Sequence, residues 1–482
     1  MKMRRVLPNG AVLCLAMIAI APAPAHAQEK KPNIIFILVD NVGWGDFGVY
    51  GGMIPTPRID KLASEGIRFN NYSVECQCTP TRGAIMTGRL PVRTGTFNVL
   101  PVPGQTHFGL SPWEYTIAEL LSDAGYSTAL YGKWHVGSGQ GRLPNDQGFD
   151  EWWGLQESSD QAGYTSYALF RQLGFPSPQI LEGKKGEPSK PAGEFDLQAK
   201  TVMDEKIAQR TVKYIQQGAK ANKPFFIYAA FTQIHPPLTV HPDFRGTSPQ
   251  RGGLYADMVG EIDHRVGQIL DAVKEAGIEK DTIIVFSSDN ATKGITGSPG
   301  GSNGPWHGDF FTPPFEGSYR VSALVRWPGK VPAGVVTNEM LSAVDWLPTL
   351  AGLAGESKRV PSDRPIDGVD ASAFFLGQSK TTGRDSVLYF GPDGQLMSVK
   401  WKYIKAIFRY AKGIEDPIVT PYFPMMYDLS SDPHEDANLW QTNMDMGWMF
   451  KPVSEIVGKF QKSVAQYPNI KPGEEFNGYA KQ

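Results

Sequence analysis

Short, unbroken apolar runs punctuate this chain, and polar residues with chemistry follow each of them. Residues 34–39 (IIFILV), 126–131, 224–231 and 282–286 are such runs. Runs of this length between turn signals read as strands buried on both faces of a sheet. Between them the apolar period lengthens to that of a helix. Ile117, Leu120 and Leu121 share a face in 116–124, and Val259, Ile262, Val266, Ile269, Leu270 and Val273 share one in 255–276. Further helices are predicted over 56–66, opened by Thr56-Pro57, and over 198–219, and another strand over 323–327. Alternating strands and helices predict an α/β fold: a mostly parallel central sheet flanked by helices, with right-handed crossovers. After a Gly/Ser/Lys/Thr-rich stretch at 377–383 the pattern changes. Short runs at 386–390, 396–399, 402–408 and 425–429, then a helix near 453–467, predict a smaller α+β unit with an antiparallel sheet. We expect a large domain over 28–380 and a C-terminal subdomain over 381–482. Residues 155–200, rich in Gly, Pro, Ser and aromatics, read as an insertion or lid.

In parallel sheets ligands bind outside the carboxyl ends of the strands. Here the first run ends at Asp40-Asn41, the second at Gly132-Lys133-Trp134-His135, the third near His235 and the fourth at Asp289-Asn290. Asp40, Asn41, Asp289 and Asn290 offer only oxygen ligands, a set that suits Ca²⁺ or Mg²⁺ rather than Zn²⁺. Lys133 and His135 stand two apart, so an extended segment projects both from one face: a fixed cation and a group that moves protons near neutral pH. His241 is a weaker competitor to His235. Cys78 lies in a loop stiffened by Pro80, with the forked cation of Arg82 nearby. Residues 84–89 read as a short helix ended by Gly88, which places Cys78 just ahead of a helix start.

Charge and cysteine content narrow the partners. The net charge is −2 with no basic tract, which gives no electrostatic footprint for nucleic acid. Lys2, Arg4 and Arg5, the apolar residues 11–21 that contain Cys14, and Ala25-His26-Ala27 form the three regions of a signal peptide over 1–27. Export to a periplasm or beyond is therefore expected. No apolar run approaches the roughly 18 residues of a membrane span. Beyond residue 27 only Cys76 and Cys78 remain, two positions apart, where a disulfide would need strained geometry.

Cys78-Thr79-Pro80-Thr81-Arg82 followed by Thr87-Gly88-Arg89 resembles the signature of the sulfatase family. So do residues 56–63 (TPRIDKLA), Gly148-Phe149-Asp150, Arg326-Trp327-Pro328-Gly329 and the stretch from Tyr427-Asp428-Leu429 to Glu435. The resemblance implies an alkaline-phosphatase-like fold and hydrolysis of an aryl or carbohydrate sulfate ester. It implies that a formylglycine-generating enzyme converts Cys78 to formylglycine, whose hydrate is the nucleophile. Arg82 and Lys133 would then hold sulfate, His135 and His235 would move protons, and residue 78 would join Asp40, Asn41, Asp289 and Asn290 around Ca²⁺ or Mg²⁺. The chain departs from the family at two places. Asn41 stands where an Asp is usual, and Gly308-Asp309 stands where Gly-Lys is usual, leaving Lys293 or His307 as substitutes for a sulfate-binding lysine. Two other readings share the motif: a phosphodiester or phosphonate monoester hydrolase, and a non-catalytic binder of sulfated glycans. Trp152, Trp153 and the aromatics of 164–175 either line a substrate pocket or pack in the core.

Overall fold

A computed structural model describes residues 30–100, 106–248, 253–292, 300–413, 416–442 and 444–480, together with Met1 and Met3. The signal-peptide reading over 1–27, Cys14 included, and Lys293 thus lie outside the described residues. No helix among the described residues is long and apolar enough to cross a membrane.

Eleven strands form one mixed sheet: β1 Asn33–Val39, β2 Ile67–Ser73, β3 Ser127–Lys133, β4 Glu151–Leu155, β5 Gln179–Lys184, β6 Lys190–Glu194, β7 Phe225–Ala230, β8 Thr282–Ser288, β9 Arg320–Arg326, β10 Val335–Thr337 and β11 Leu341–Ser342. Their order is β10-β2-β9-β8-β1-β7-β3-β4-β5-β6, with β11 beside β2. The centre, β8-β1-β7-β3-β4, is parallel throughout. Antiparallel pairing enters on both flanks, through β9 on one side and β5 and β6 on the other. The unbroken apolar runs are the central strands, and every residue of β1, β7 and β8 is buried. Their two faces feed two apolar clusters, one built around Phe36, Leu38 and Trp346, the other around Ile35, Ile37 and Val259.

The helices follow the pattern with informative exceptions. Thr116 caps helix Ile117–Asp123 through a reciprocal capping box with Glu119, a device that contributes about 1 kcal/mol. The expected helix over 198–219 is two, Leu197–Thr201 and Met203–Ala221, broken at Val202. β2 carries Asn70 and Asn71 in mid-strand and was not apparent from the pattern. A register irregularity between Phe69 and Tyr72 accommodates them opposite β9. The 155–200 stretch supplies β5 and β6, a 3₁₀ segment Ser159–Ser166 and helix Ala168–Gln172. Trp152 and Trp153 lie on β4 and are buried, Trp152 at the wall of a cavity shared with Tyr131 and Arg210. The Trp152 Nε1 donates to Asn145 Oδ1 at 2.9 Å, and Arg210 covers the Trp153 ring at 4.5 Å.

A second sheet is an antiparallel meander of β12 Ser386–Phe390, β13 Leu396–Trp401, β14 Ile404–Ile407 and β15 Met425–Asp428. Helix Phe450–Gln466 packs on it through Val453 and Phe460, whose ring lies 5.2 Å from that of Phe390. The chain then returns to the first sheet's helices. Ile470 N donates to Arg93 O at 3.0 Å, and the Tyr479 hydroxyl accepts from Arg89 Nη2 at 2.7 Å.

Candidate active site

Four neighbouring parallel strands, β8-β1-β7-β3, deliver their C-terminal ends to one place. β1 ends at Asp40 and Asn41, β8 at Asp289 and Asn290, β3 at Lys133, and the segment after β7 carries His235. Helix Cys78–Thr87 closes the site from above. It starts six residues earlier than the sequence pattern suggested, so Cys78 is its first residue rather than lying ahead of it. Pro80 is tolerated there because first-turn N–H groups have no intrahelical partner. Gly88 ends the helix at φ 67°.

Cys78 is buried, with Sγ 3.6 Å from Asp40 Oδ1 and 3.9 Å from Asn41 Oδ1. One ligating atom each from Asp40, Cys78 and His235 lie within 4.8 Å of one another. Burial, followed by Asp289, pushes the Cys78 thiol well above its ordinary range. A thiolate is therefore disfavoured here, the opposite of what an activated cysteine nucleophile requires. Cys76 and Cys78 are both unbridged, and Cys76 packs against Tyr319, Met340 and Tyr389.

Two cations brace the carboxylates. Arg82 Nε donates to Asp289 Oδ2 at 2.9 Å, its Nη2 lies 2.8 Å from the same oxygen, and its Nη1 donates to Lys133 O at 2.6 Å. Lys133 Nζ donates to Asp40 Oδ2 at 2.7 Å. Burial opposes ionisation of Asp40, but Lys133, His235 and Arg82 hold its carboxyl well below the usual carboxylate range. Asp289 moves the other way, to about 6, because burial and the Asp40 charge outweigh Arg82. Asn41 takes φ 63° and its N–H donates to Asp289 Oδ1 at 3.2 Å.

The residues suit a hard cation on their own geometry. Asn290 Oδ1 is a buried acceptor with no hydrogen-bond partner among the described residues, and Asn290 Nδ2 donates to Asn41 Oδ1. Asp40 Oδ1 faces Cys78 while its other oxygen takes the lysine. An oxygen acceptor without a donor, beside two carboxylates, is what an oxygen-ligated divalent ion satisfies.

Lys133 and His135 both reach the site, but not by strand alternation. β3 stops at Lys133, and His135 takes φ 58°. Gly132 explains the close approach: at φ 112°, a Cβ there would sit 1.8 Å from Ala230 O on β7. Thr79 Oγ1 donates to His135 O at 2.8 Å, tying this turn to the Cys78 helix, while His135 Nδ1 is buried without a hydrogen-bond partner among the described residues. Burial, then Lys133 and Arg82, hold the His135 imidazole well below 6.5. His235 Nδ1 lies 2.8 Å from Pro236 O and Nε2 lies 3.5 Å from Ser158 Oγ. A carbonyl only accepts, so Nδ1 carries the proton and Nε2 is the open position. Burial and Lys133 lower the His235 imidazole to about 4.

Not every expected residue joins this cluster. The His307 ring stacks on Phe315 at 4.0 Å and on His434 at 5.2 Å, and the charges that bear on it are His434, Asp436, Lys405 and Asp309. His241 pairs with Glu205 and Asp243. Conversely, Ser158, Asp160 and Lys200 stand around His235 and were missed in the sequence. Their only signal is place: they lie in the lid stretch and a short helix, where no motif marks them.

A family model described as Sulfatase matches residues 32–356. The chain is 32% identical over 483 residues to N-acetylgalactosamine-6-sulfatase of Canis lupus familiaris, covering 93% of this chain and 90% of that one. It is 33% identical over 452 residues to arylsulfatase A of Homo sapiens, covering 88% and 86%. Among solved structures, the PsFucS1 sulfatase from Pseudoalteromonas sp. superposes with a TM-score of 0.85 at 31% identity, covering 92% of this chain and 93% of that one.

Proposed function

The chain belongs to the sulfatase family and is a sulfuric ester hydrolase; from that premise we propose that it cleaves an aryl or carbohydrate sulfate ester at Cys78, oxidised to formylglycine, beside Ca²⁺ held by Asp40, Asn41, Asp289 and Asn290. The observation that carries this reading is the state of Cys78. Burial and the neighbouring carboxylates oppose a thiolate there, yet Cys78 lies within 4.8 Å of ligating atoms of Asp40 and His235. Formylglycine hydrate would supply one hydroxyl to attack sulfur and a second through which sulfate is expelled, and Ca²⁺ would supply positive charge for the sulfate oxygens.

The chain's own residues then divide the work. Arg82 and Lys133 fix Asp289 and Asp40 and offset their charge where the sulfate oxygens gather. His235, its Nδ1–H anchored on the Pro236 carbonyl, presents Nε2 to the leaving oxygen as proton donor. The ring is neutral in the resting site. An arriving sulfate monoester adds the negative charge that favours its protonated form. His135 is held neutral by burial and two cations and keeps an open Nδ1, which suits the acceptor of the proton that must leave the nucleophile's second hydroxyl. Asn41 in place of a carboxylate keeps a ligating oxygen and gives up one negative charge at the cation. The same reading includes a formylglycine-generating enzyme as maturation partner and export through residues 1–27.

Mass spectrometry of peptides spanning residues 72–89 tests it. The active protein should carry an aldehyde-reactive residue 78 of lower mass than cysteine. A full thiol in fully active enzyme would sink the mechanism. Exhaustive chelation should lower both turnover and the melting temperature, and Ca²⁺ should restore both. A sulfate- and phosphate-ester panel assayed side by side should show the sulfate esters preferred.

A further inference from the structure

The two cations expected to grip sulfate have few free donors. Arg82 donates Nε to Asp289 and Nη1 to the Lys133 carbonyl, its Nη2 lies 2.8 Å from the same Asp289 oxygen without a hydrogen bond among the described residues, and Lys133 Nζ is engaged by Asp40. The position usual for a further lysine is Gly308-Asp309, and the Asp309 carboxylate accepts from Asn303 Nδ2 at 3.2 Å. Sulfate recognition needs a donor cation that is not already spent.

Lys200 is engaged less still. It is 1% exposed, and its Nζ has no hydrogen-bond partner among the described residues. It sits on helix Leu197–Thr201, which packs against the 3₁₀ segment Ser159–Ser166. One turn on, Asp204 accepts from Thr232 N, Thr232 Oγ1 and Gln233 N, at 2.8, 2.8 and 3.0 Å, in the segment that leads to His235. Ser158, at the start of the 3₁₀ segment, lies at His235 Nε2. The helix that carries Lys200 therefore packs on one of the segments that frame His235, and Asp204 just beyond it ties down the other. The charges that bear on it are Asp204, Asp40, Lys133 and Asp160, and it bears in turn on His235. Asp204, its foremost counter-charge, has both oxygens already engaged by these three donors. Burying an ammonium without a hydrogen-bond partner is costly, and an arriving oxyanion removes that cost.

We propose that Lys200 is an anion-binding residue of this site, donating to an oxygen of the substrate's sulfate from the His235 side. The proposal rests on the sulfatase reading, and takes the role that Gly308-Asp309 leaves vacant. A Met in its place keeps the volume and apolar stem and removes the three donors.

Titration calorimetry of the full chain with inorganic sulfate is the test. Wild type should bind, Lys200→Met should bind about 10- to 100-fold more weakly, and Lys200→Arg should remain within a few-fold. With a sulfate ester, Lys200→Met should raise KM more than it lowers kcat, as for a contact made before and during reaction. Should the Met variant not fold, as judged by circular dichroism, Lys200→Gln takes its place. Sulfate affinity within twofold of wild type in either folded variant overturns the proposal, as does wild type that fails to bind sulfate. A lowered melting temperature with unchanged affinity overturns it as well, in favour of a structural counter-charge for Asp204. Absence of turnover on every sulfate ester by wild type would instead bring down the sulfatase reading, with sulfate binding read separately.

Discussion

Two buried charge clusters in this molecule use the same side chains to different ends. At the strand ends, Asp40 and Asp289 meet Arg82 and Lys133, but Asn290 Oδ1, His135 Nδ1, Arg82 Nη2 and Lys200 Nζ make no hydrogen bond among the described residues. Between the two sheets, Glu316 takes Arg320 Nε at 2.7 Å, Lys400 Nζ at 3.1 Å and Lys405 Nζ at 3.0 Å. Lys405 also reaches Glu435, whose other oxygen accepts from Glu316 N at 2.7 Å. Here each cation ends on a carboxylate, and Glu435 Oε1, which makes no hydrogen bond among the described residues, lies 3.0 Å from Lys405 Nζ, so the second cluster is a closed bolt and the first an open socket. Burial of charge alone does not mark a functional site.

The contrast breaks most visibly at Cys78. Cys78→Ala should reduce turnover by about 10⁴-fold or more while shifting the melting temperature by only a few degrees. Glu316→Gln should do the reverse. It leaves two lysines and Arg320 under-compensated, so unfolding in urea should show a loss of about 3–5 kcal/mol with kcat nearly unchanged. Next in size, His235→Ala should lower kcat about 10²- to 10³-fold on an alkyl or sugar sulfate, and much less on a nitrophenyl sulfate whose leaving oxygen needs no proton. A pH series sharpens the structural side. Burial opposes ionisation of Glu316, but Arg320, Lys400 and Lys405 hold its folded pKa well below the ordinary 4.5. Its contribution is thus complete above about pH 4.5 and is lost as pH falls through the folded value, so wild type and Glu316→Gln should converge in stability in acid. Smallest of all, His307→Ala should leave kcat/KM within about twofold, because the ring stacks on Phe315 and His434.

Much of the open socket was legible in the sequence. Unbroken apolar runs announced β1, β3, β7 and β8, and the polar residues after them converge because those strands are neighbours. What the pattern missed has physical causes. β2 hides its strand character behind Asn70 and Asn71. The Cys78 helix hides its first turn behind Pro80, which periodicity reads as a breaker. Lys133 and His135 meet the site through a left-handed turn that no alternation rule foresees. Lys200 sits on a five-residue helix too short to carry a period, and its importance comes from what it lacks in three dimensions. The closed bolt was least visible, since Lys400, Lys405 and Glu435 are scattered over a hairpin and a loop and meet Glu316 only once the sheets dock.

The return of residues 470–479 onto Arg89 and Arg93 has a consequence in time. The first sheet's covering is completed by residues that leave the ribosome nearly four hundred positions after Cys78. At ordinary elongation speeds that interval is on the order of a minute. In the finished fold Cys78 is 1% exposed and beyond the reach of a modifying enzyme. On the formylglycine reading, the gap between emergence of the Cys78 segment and docking of that late segment is the interval in which maturation takes place. Variants that hasten closure around Cys78 would then yield protein that is well folded and inert.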